Sequence, residues 1–254
     1  MALAMATDLP RNVKLTIEYD GTDYHGWQRQ ANAVTVQQVL EEGIERIVGH
    51  PPTLYGSGRT DAGVHALGQV ANFHTASTIP AAQLHHAINS AIPRDVAVLR
   101  AEDVPDGFHA RYHAKSKTYR YRIVCRDVRP AMGARYVHWV RQRLDAAAMQ
   151  AAAERLVGEH DFAAFQTEAT GEKCTVRTIT QSDIEQDGER IDYTVSANGF
   201  LYNMVRAIVG TLLEVGWGKR SADDVAALLE VRDRGLAGPT APAQGLCLMQ
   251  VDYA

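Results

Sequence analysis

Cysteine is scarce in this sequence: three residues in 254, Cys125, Cys174 and Cys247, odd in number, far apart and without a C-x-x-C pair. That spacing excludes a disulfide framework and a cysteine-based zinc site, and it fits a reducing compartment. Long apolar runs are missing too. The most apolar segment, FLYNMVRAIVGTLLEVGWG (200–218), is interrupted by Asn203, Arg206 and Glu214 and is a poor membrane span. The first twelve residues, MALAMATDLPRN, lack the cationic start and sustained apolar stretch of a signal peptide. Residues 1–11 are therefore expected to be a disordered tail. The chain is expected to be soluble and cytoplasmic, with no membrane partner.

A large charge imbalance is also absent, since the formal net charge is only −4. Its distribution is uneven, however. Between residues 107 and 143 there are ten basic side chains (Arg111, Lys115, Lys117, Arg120, Arg122, Arg126, Arg129, Arg135, Arg141, Arg143) and one acid, Asp127, so this stretch is +9 and the remainder −13. A basic band in an acidic chain is an electrostatic footprint for a polyanion, because local potential steers binding more than the total does. It is equally what a solvated charged strand and loop would look like. Hydrophobic residues at 46% and charged residues at 22% describe a packed globular protein, long enough for one large domain or two of ordinary size.

Periodicity predicts strands at 13–19, 52–57, 69–75 and 96–104, with helices at 36–49 and 80–92 between them. After Pro105 and Gly107 the pattern resumes with a strand at 117–125 and an alanine-rich helix at 144–158. A hairpin follows over 176–186 and 189–197, turning at Asp187 and Gly188. Helices at 200–215 and 221–230 and a closing strand at 246–253 complete the reading. Antiparallel strands with helices able to cover one face make the class α+β. Two domains are expected, 12–107 and 108–254, with the boundary near 105–116.

What is abundant is glycine in one short stretch. GSGRTDAGVHALGQ (56–69) holds glycines at 56, 58, 63 and 68 around Arg59 and Asp61. The spacing fits neither a P-loop nor a dinucleotide fingerprint, so no nucleotide cofactor is expected. Asp61 can cap its own turn, as Asp often does. It can also be a nucleophile, provided that neighbours hold it ionised and aimed, and an adjacent arginine would lower its pKa. The residues of this stretch leave both readings open. No convincing metal-ligand cluster is visible, although His109 and His113 fall at i, i+4.

GSGRTDAGVHALGQVANF closely resembles the signature of the TruA family of tRNA pseudouridine synthases. EYDGTDYHGWQRQ (18–30), FHARYHAKSKTYRYRI (108–123), FLYNMVRAIVGTLLEVG (200–216) and APAQGLCL (241–248) resemble the same family in the same order, so the likeness runs from about residue 12 to the end. The resemblance implies two ferredoxin-like (RRM-like) α+β domains with antiparallel sheets and a basic cleft between them. It implies an isomerase that converts uridines 38, 39 and 40 of the anticodon stem-loop to pseudouridine, as a homodimer, with tRNA as partner and no cofactor or metal.

By that resemblance Asp61 is the catalytic aspartate, attacking either C6 of the uracil or C1′ of the ribose. Tyr119 is the active-site tyrosine, which stacks on the flipped base and could help remove the C5 proton. Arg206 pairs with Asp61, and Arg59 assists base flipping. Arg111, Lys115, Lys117, Arg120 and Arg122 are expected to bind tRNA phosphates. Each has a plainer alternative: strand periodicity favours a core position for Tyr119, Arg206 could snorkel to the surface, and Arg59 could be a simple phosphate contact. The sequence departs from the family at Ala207, where asparagine is usual, at Tyr202 and Asn203, where histidines are common, and at Cys247, where tyrosine is frequent. Two other functions remain open, a non-catalytic RNA-binding module and a glycosidase-like enzyme that releases free base.

Overall fold

A computed structural model describes residues 10–167 and 174–253. Residues 1–9, most of the expected disordered tail, lie outside the described residues. The N-terminal half runs β1 (Arg11–Tyr19), α1 (Val36–Val48), β2 (Tyr55–Gly56), β3 (His65–Thr75), α2 (Ala81–Asn89) and β4 (Val96–Val104). The C-terminal half runs β5 (Ala114–Cys125), β6 (His138–Val140), α3 (Ala146–Glu154), β7 (Gly158–Asp161), β8 (Val176–Asp187), β9 (Arg190–Ala197), α4 (Met204–Gly216), α5 (Ala222–Val231) and β10 (Leu246–Tyr253).

The expected separate sheets of two domains give way to one sheet, ordered β4-β1-β3-β10-β5-β9-β8-β7. The reason is β10. The last strand of the chain runs parallel to β3, with Leu248 opposite Ala66, and antiparallel to β5, with Leu248 opposite Tyr119. It thereby joins the edge of one half to the edge of the other. Most remaining pairings are antiparallel, as α+β requires.

One face of the sheet is apolar. Val13, Leu15 and Ile17 of β1 are fully buried, and Tyr121 and Ile123 of β5 face Tyr193 and Ile191 of β9, all likewise buried. Leu40 and Ile44 from α1, Leu84 and Ile88 from α2, and much of α4 complete this core. The opposite face carries Lys14, Glu18, Arg120 and Arg122, because side chains alternate along a strand. Here the loop between the halves is pinned by two buried asparagines. Asn12 donates through Nδ2 to the Phe108 carbonyl (2.8 Å), and Asn72 Oδ1 accepts from the Ala110 N–H (2.8 Å).

Local signals placed most helix ends. Thr35 caps α1 by accepting from the Gln38 N–H, Gly49 ends it in the left-handed region, and Ser221 and Asp224 form a reciprocal capping box on α5. Three expectations shift. The strand expected at 52–57 is reduced to Tyr55–Gly56, preceded by Pro51 and Pro52, which cannot donate to a ladder. The strand expected at 69–75 begins earlier, at His65, inside the glycine-rich stretch. The helix expected from residue 200 begins at Met204, because Asn203 takes φ 59° and ψ 7°, outside right-handed helical geometry.

Candidate active site

The turn that carries Asp61 is built from its own glycines and held by its neighbours. The Asp61 carbonyl accepts from the Val64 N–H (3.1 Å), closing a four-residue turn whose third residue, Gly63, has φ +76°. That is the type II position, where a side chain would be strained. The segment 20–30 cradles the turn. Trp27 N–H donates to the Thr60 carbonyl (3.1 Å), and Gly26 lies so close that an added Cβ would sit 2.5 Å from that same oxygen.

A buried polar network fixes the turn from below. Tyr19 and Thr60 share a hydroxyl–hydroxyl hydrogen bond of 2.8 Å. Gln69, fully buried on β3, accepts from the Ser57 hydroxyl (2.6 Å) and donates to the Gly58 carbonyl (3.1 Å). Lys117 Nζ donates to the Ser57 carbonyl (2.8 Å). Each of these bonds is dear to lose, because a buried polar group without its partner keeps the full desolvation cost.

Arg206 arrives from α4. Its Nη1 donates to Asp61 Oδ2 (3.1 Å) and to Asn203 Oδ1 (2.8 Å), and its Nε donates to the Ala241 carbonyl (2.8 Å). The Asp61 and Arg206 side chains are 20% and 18% exposed, so the pair is sheltered and still open to solvent. The guanidinium does not snorkel away. Nor does it grip the carboxylate with two parallel bonds, since Nε is committed to the backbone.

The electrostatics differ from the expectation that an adjacent arginine leaves the carboxyl with a lowered pKa. Burial pushes the Asp61 pKa up, and the hydrogen bond and charge of Arg206 pull it down by less, so the net direction is upward from the ordinary Asp value. Arg206 thus offsets part of a desolvation cost rather than producing an unusually strong acid.

Tyr119 lies on the same face of β5, 7% exposed, with its ring edge-on to Phe200 at 5.1 Å. Burial, with smaller contributions from Tyr19 and from the charge of Asp61, pushes its phenol far up, so the hydroxyl is protonated throughout the physiological range. Tyr119 is a core residue by burial and a neighbour of Asp61 by position.

The remaining expected residues divide. Lys117 joins the turn, Arg59 is exposed at its tip, and Arg111 and Lys115 are exposed nearby in sequence to β5's start. Arg120 and Arg122 are not brought to Asp61. They project from the other face of the sheet, where Arg122 pairs with Asp192 (3.1 Å) and Arg120 reaches Thr194 (3.5 Å). Period-two alternation with Tyr119 already carried that information. The basic band is further divided by ion pairs of Arg126 with Glu189, Arg141 with Asp127 and Arg135 with Asp23. His109 and His113 close a local turn, with the His109 N–H donating to His113 Nδ1 (3.0 Å). Among the described residues no group of three or more His, Cys, Asp or Glu could hold a metal ion, and no helix is long and apolar enough to cross a membrane.

A family described as tRNA pseudouridine synthase matches residues 15–113 and 152–254, which include Asp61, Arg206 and Gln69 but not Lys117 or Tyr119. The chain belongs to that family. It is an isomerase that acts on tRNA. Curated relatives named tRNA pseudouridine synthase A are similar along nearly the whole chain. The one from Thermoanaerobacter sp. (strain X514) is 49% identical over 243 residues, 96% of this chain and 100% of that protein. The one from Citrifermentans bemidjiense is 50% identical over 244 residues, 96% and 98% of the two chains. The one from Clostridium kluyveri is 46% identical over 243 residues, 96% and 100%. Among solved structures, the chain is similar to one titled as an archaeal box H/ACA sRNP Nop10-Cbf5 complex. The identity is 12% and the TM-score 0.36, with 89% of this chain and 60% of that chain covered, a likeness too slight to bear on the fold.

Several contributors to the site carry no signal used in the sequence reading, among them Tyr19, Thr60, Ser57, Gln69 and Asn203. Gln69 was hidden because its value lies in burial beneath the turn. Asn203 was noted only as a departure from the family, although an asparagine just before an apolar helix is a recognisable candidate for the left-handed region.

Proposed function

We propose that this synthase converts uridines 38, 39 and 40 of the tRNA anticodon stem-loop to pseudouridine with Asp61 as nucleophile. The observation that carries the reading is the Asp61–Arg206 contact: a half-sheltered carboxylate on a rigid glycine turn, beside a guanidinium and a buried tyrosine.

The uridine must leave its stack to reach that carboxylate, at a cost of a few kcal/mol. In this reading Arg59, exposed at the tip of the turn, occupies the vacated space. The Asp61 carboxylate attacks C6 of the base or C1′ of the ribose, and the N1–C1′ bond breaks. The uracil turns and C5 bonds to C1′; the Asp61 oxygen leaves, from C1′ as C5 attacks or from C6 by elimination afterwards, the C5 proton is lost and N1 is protonated. Nothing is oxidised or reduced and no water is consumed. Tyr119 supplies the ring against which the uracil stacks, and its neutral hydroxyl can accept the C5 proton while passing its own to the Asp61 carboxylate once that is released.

Phosphates of the stem then lie along Arg59, Arg111, Lys115 and Lys117, with the two halves, 12–107 and 108–254, acting as lobes on either side of the turn. RNA helices are held largely through such phosphate and 2′-OH contacts. Assembly as a cytoplasmic homodimer belongs to the same reading.

Asp61→Ala tests it. Pseudouridine formation on an unmodified tRNA transcript is expected to vanish while tRNA affinity stays within a few-fold. Isomerisation by that variant overturns the nucleophile assignment, and an active-site-independent RNA-binding role is favoured if the native protein binds tRNA without forming product.

A further inference from the structure

Asn203 is one of two non-glycine residues with positive φ among those described, at φ 59°. Asn tolerates that region better than most residues, but it is still a local penalty. It also stands at the N-cap of α4, where an asparagine side chain normally accepts from the first backbone N–H groups. Here it makes no capping bond. Its Oδ1 instead accepts from Arg206 Nη1 at 2.8 Å. A residue that adopts a costly backbone and forgoes its usual partner has been recruited to something else.

We infer that Asn203 is a positioning residue for the isomerisation: it holds the Arg206 guanidinium in the rotation that serves Asp61. The inference rests on Asp61 being the nucleophile. Nη1 has two hydrogens, and they are divided between Asn203 Oδ1 (2.8 Å) and Asp61 Oδ2 (3.1 Å). With Nε tied to the Ala241 carbonyl (2.8 Å), the planar fork has no freedom left about its long axis. The acceptor at 203 is also neutral. It orients the guanidinium without neutralising it, so the full positive charge is left for the carboxylate. A carboxylate at 203 would orient equally well but would compete for that charge and repel Asp61. Among the described residues, the charged and titratable groups that act on the pair are Arg206 itself and Tyr119 of β5 beside Asp61, and Tyr121 of β5 beside Arg206, while Tyr19 of β1 bonds Thr60 and Lys117 bonds the Ser57 carbonyl in the turn beneath.

Two variants separate this role from simple helix initiation. Asn203→Gly keeps the left-handed backbone without strain and deletes the acceptor. Asn203→Asp keeps the acceptor and adds a charge. Single-turnover pseudouridine formation on an unmodified tRNA transcript is followed across pH for both, alongside thermal melting and tRNA binding. For Asn203→Gly the rate constant is expected to fall about tenfold, the scale of losing a hydrogen bond to a charged group, with melting and tRNA affinity essentially unchanged. For Asn203→Asp the acid limb of the rate profile is expected to move up by about one pH unit, as a second nearby carboxylate disfavours ionisation of the first. The inference is overturned if Asn203→Gly melts lower but turns over normally, if its loss lies in tRNA affinity, or if the acid limb of Asn203→Asp stays in place. Asp61→Ala run in parallel distinguishes the deeper failure: activity there removes the nucleophile reading itself, whatever Asn203 does.

Discussion

Asp61 Oδ2 and Arg206 Nη1 stand 3.1 Å apart although 145 residues separate them in sequence. The contact joins the glycine turn of the N-terminal half to a helix of the C-terminal half, and everything chemical about the site converges on it.

Replacing Arg206 by lysine keeps the charge and loses the fork. An ammonium cannot serve Asp61, Asn203 and the Ala241 carbonyl from fixed directions. Arg206→Lys is expected to lower the single-turnover rate by about 10²-fold, the scale on which a misplacement of roughly 1 Å acts. A variant within threefold of the native rate shows that geometry at Arg206 is immaterial.

The acid side of the rate profile reports Asp61. Its folded-state pKa is raised, with burial as the largest cause and Arg206 offsetting part of it. The carboxyl is therefore still protonated at pH values where an ordinary Asp has ionised, and the activity of the native enzyme should fall at a pH above the usual Asp range. The stability sign runs the other way. A raised carboxyl favours folding where it is protonated and loses that contribution as pH rises through its folded pKa. Asp61→Asn, which cannot ionise, should accordingly gain stability relative to native as pH increases from 4 to 7, measured by thermal melting at matched ionic strength.

Tyr119 separates ring from hydroxyl. Tyr119→Phe preserves the stacking surface and the contact with Phe200, so tRNA binding and melting should change little, while product formation should fall by about 10²-fold through loss of the proton relay. Because burial holds the phenol protonated, no alkaline limb should arise from this group in the physiological range. Full activity of Tyr119→Phe would confine the residue to stacking.

Gln69 supports the turn without touching a substrate. Gln69→Leu strips the Ser57 hydroxyl and the Gly58 carbonyl of buried partners, and should cost about 1–3 kcal/mol of stability. The denaturation midpoint should fall with an unchanged slope; equal stability would show that the network relaxes without cost.

The fold was readable where the signals are local. Helical spacing over 36–49 and the alternating apolar positions of β1 and β9 placed those elements near their observed bounds. β6 and β7, at three and four residues, escaped notice because such short pieces carry little periodicity. In the site, the glycine pattern marked the turn, and the lone arginine in an apolar helix marked Arg206. The charge count along 107–143 was a weaker guide, because a sum along the chain ignores which side of a strand each residue takes. Tyr119 and Arg120 are neighbours in sequence and lie on opposite faces of the sheet.

The sequence by itself determined the mixed α/β elements, the tight turn around Asp61 and the family to which its ordered motifs belong, since each is encoded within a few consecutive residues. Only the tertiary structure decided that β10 fuses both halves into one sheet, that Asn203 shares Arg206 with Asp61, and that burial outweighs the arginine in setting the carboxyl's proton affinity. Those outcomes depend on which distant segments pack together and how much water they exclude, quantities that no local pattern contains.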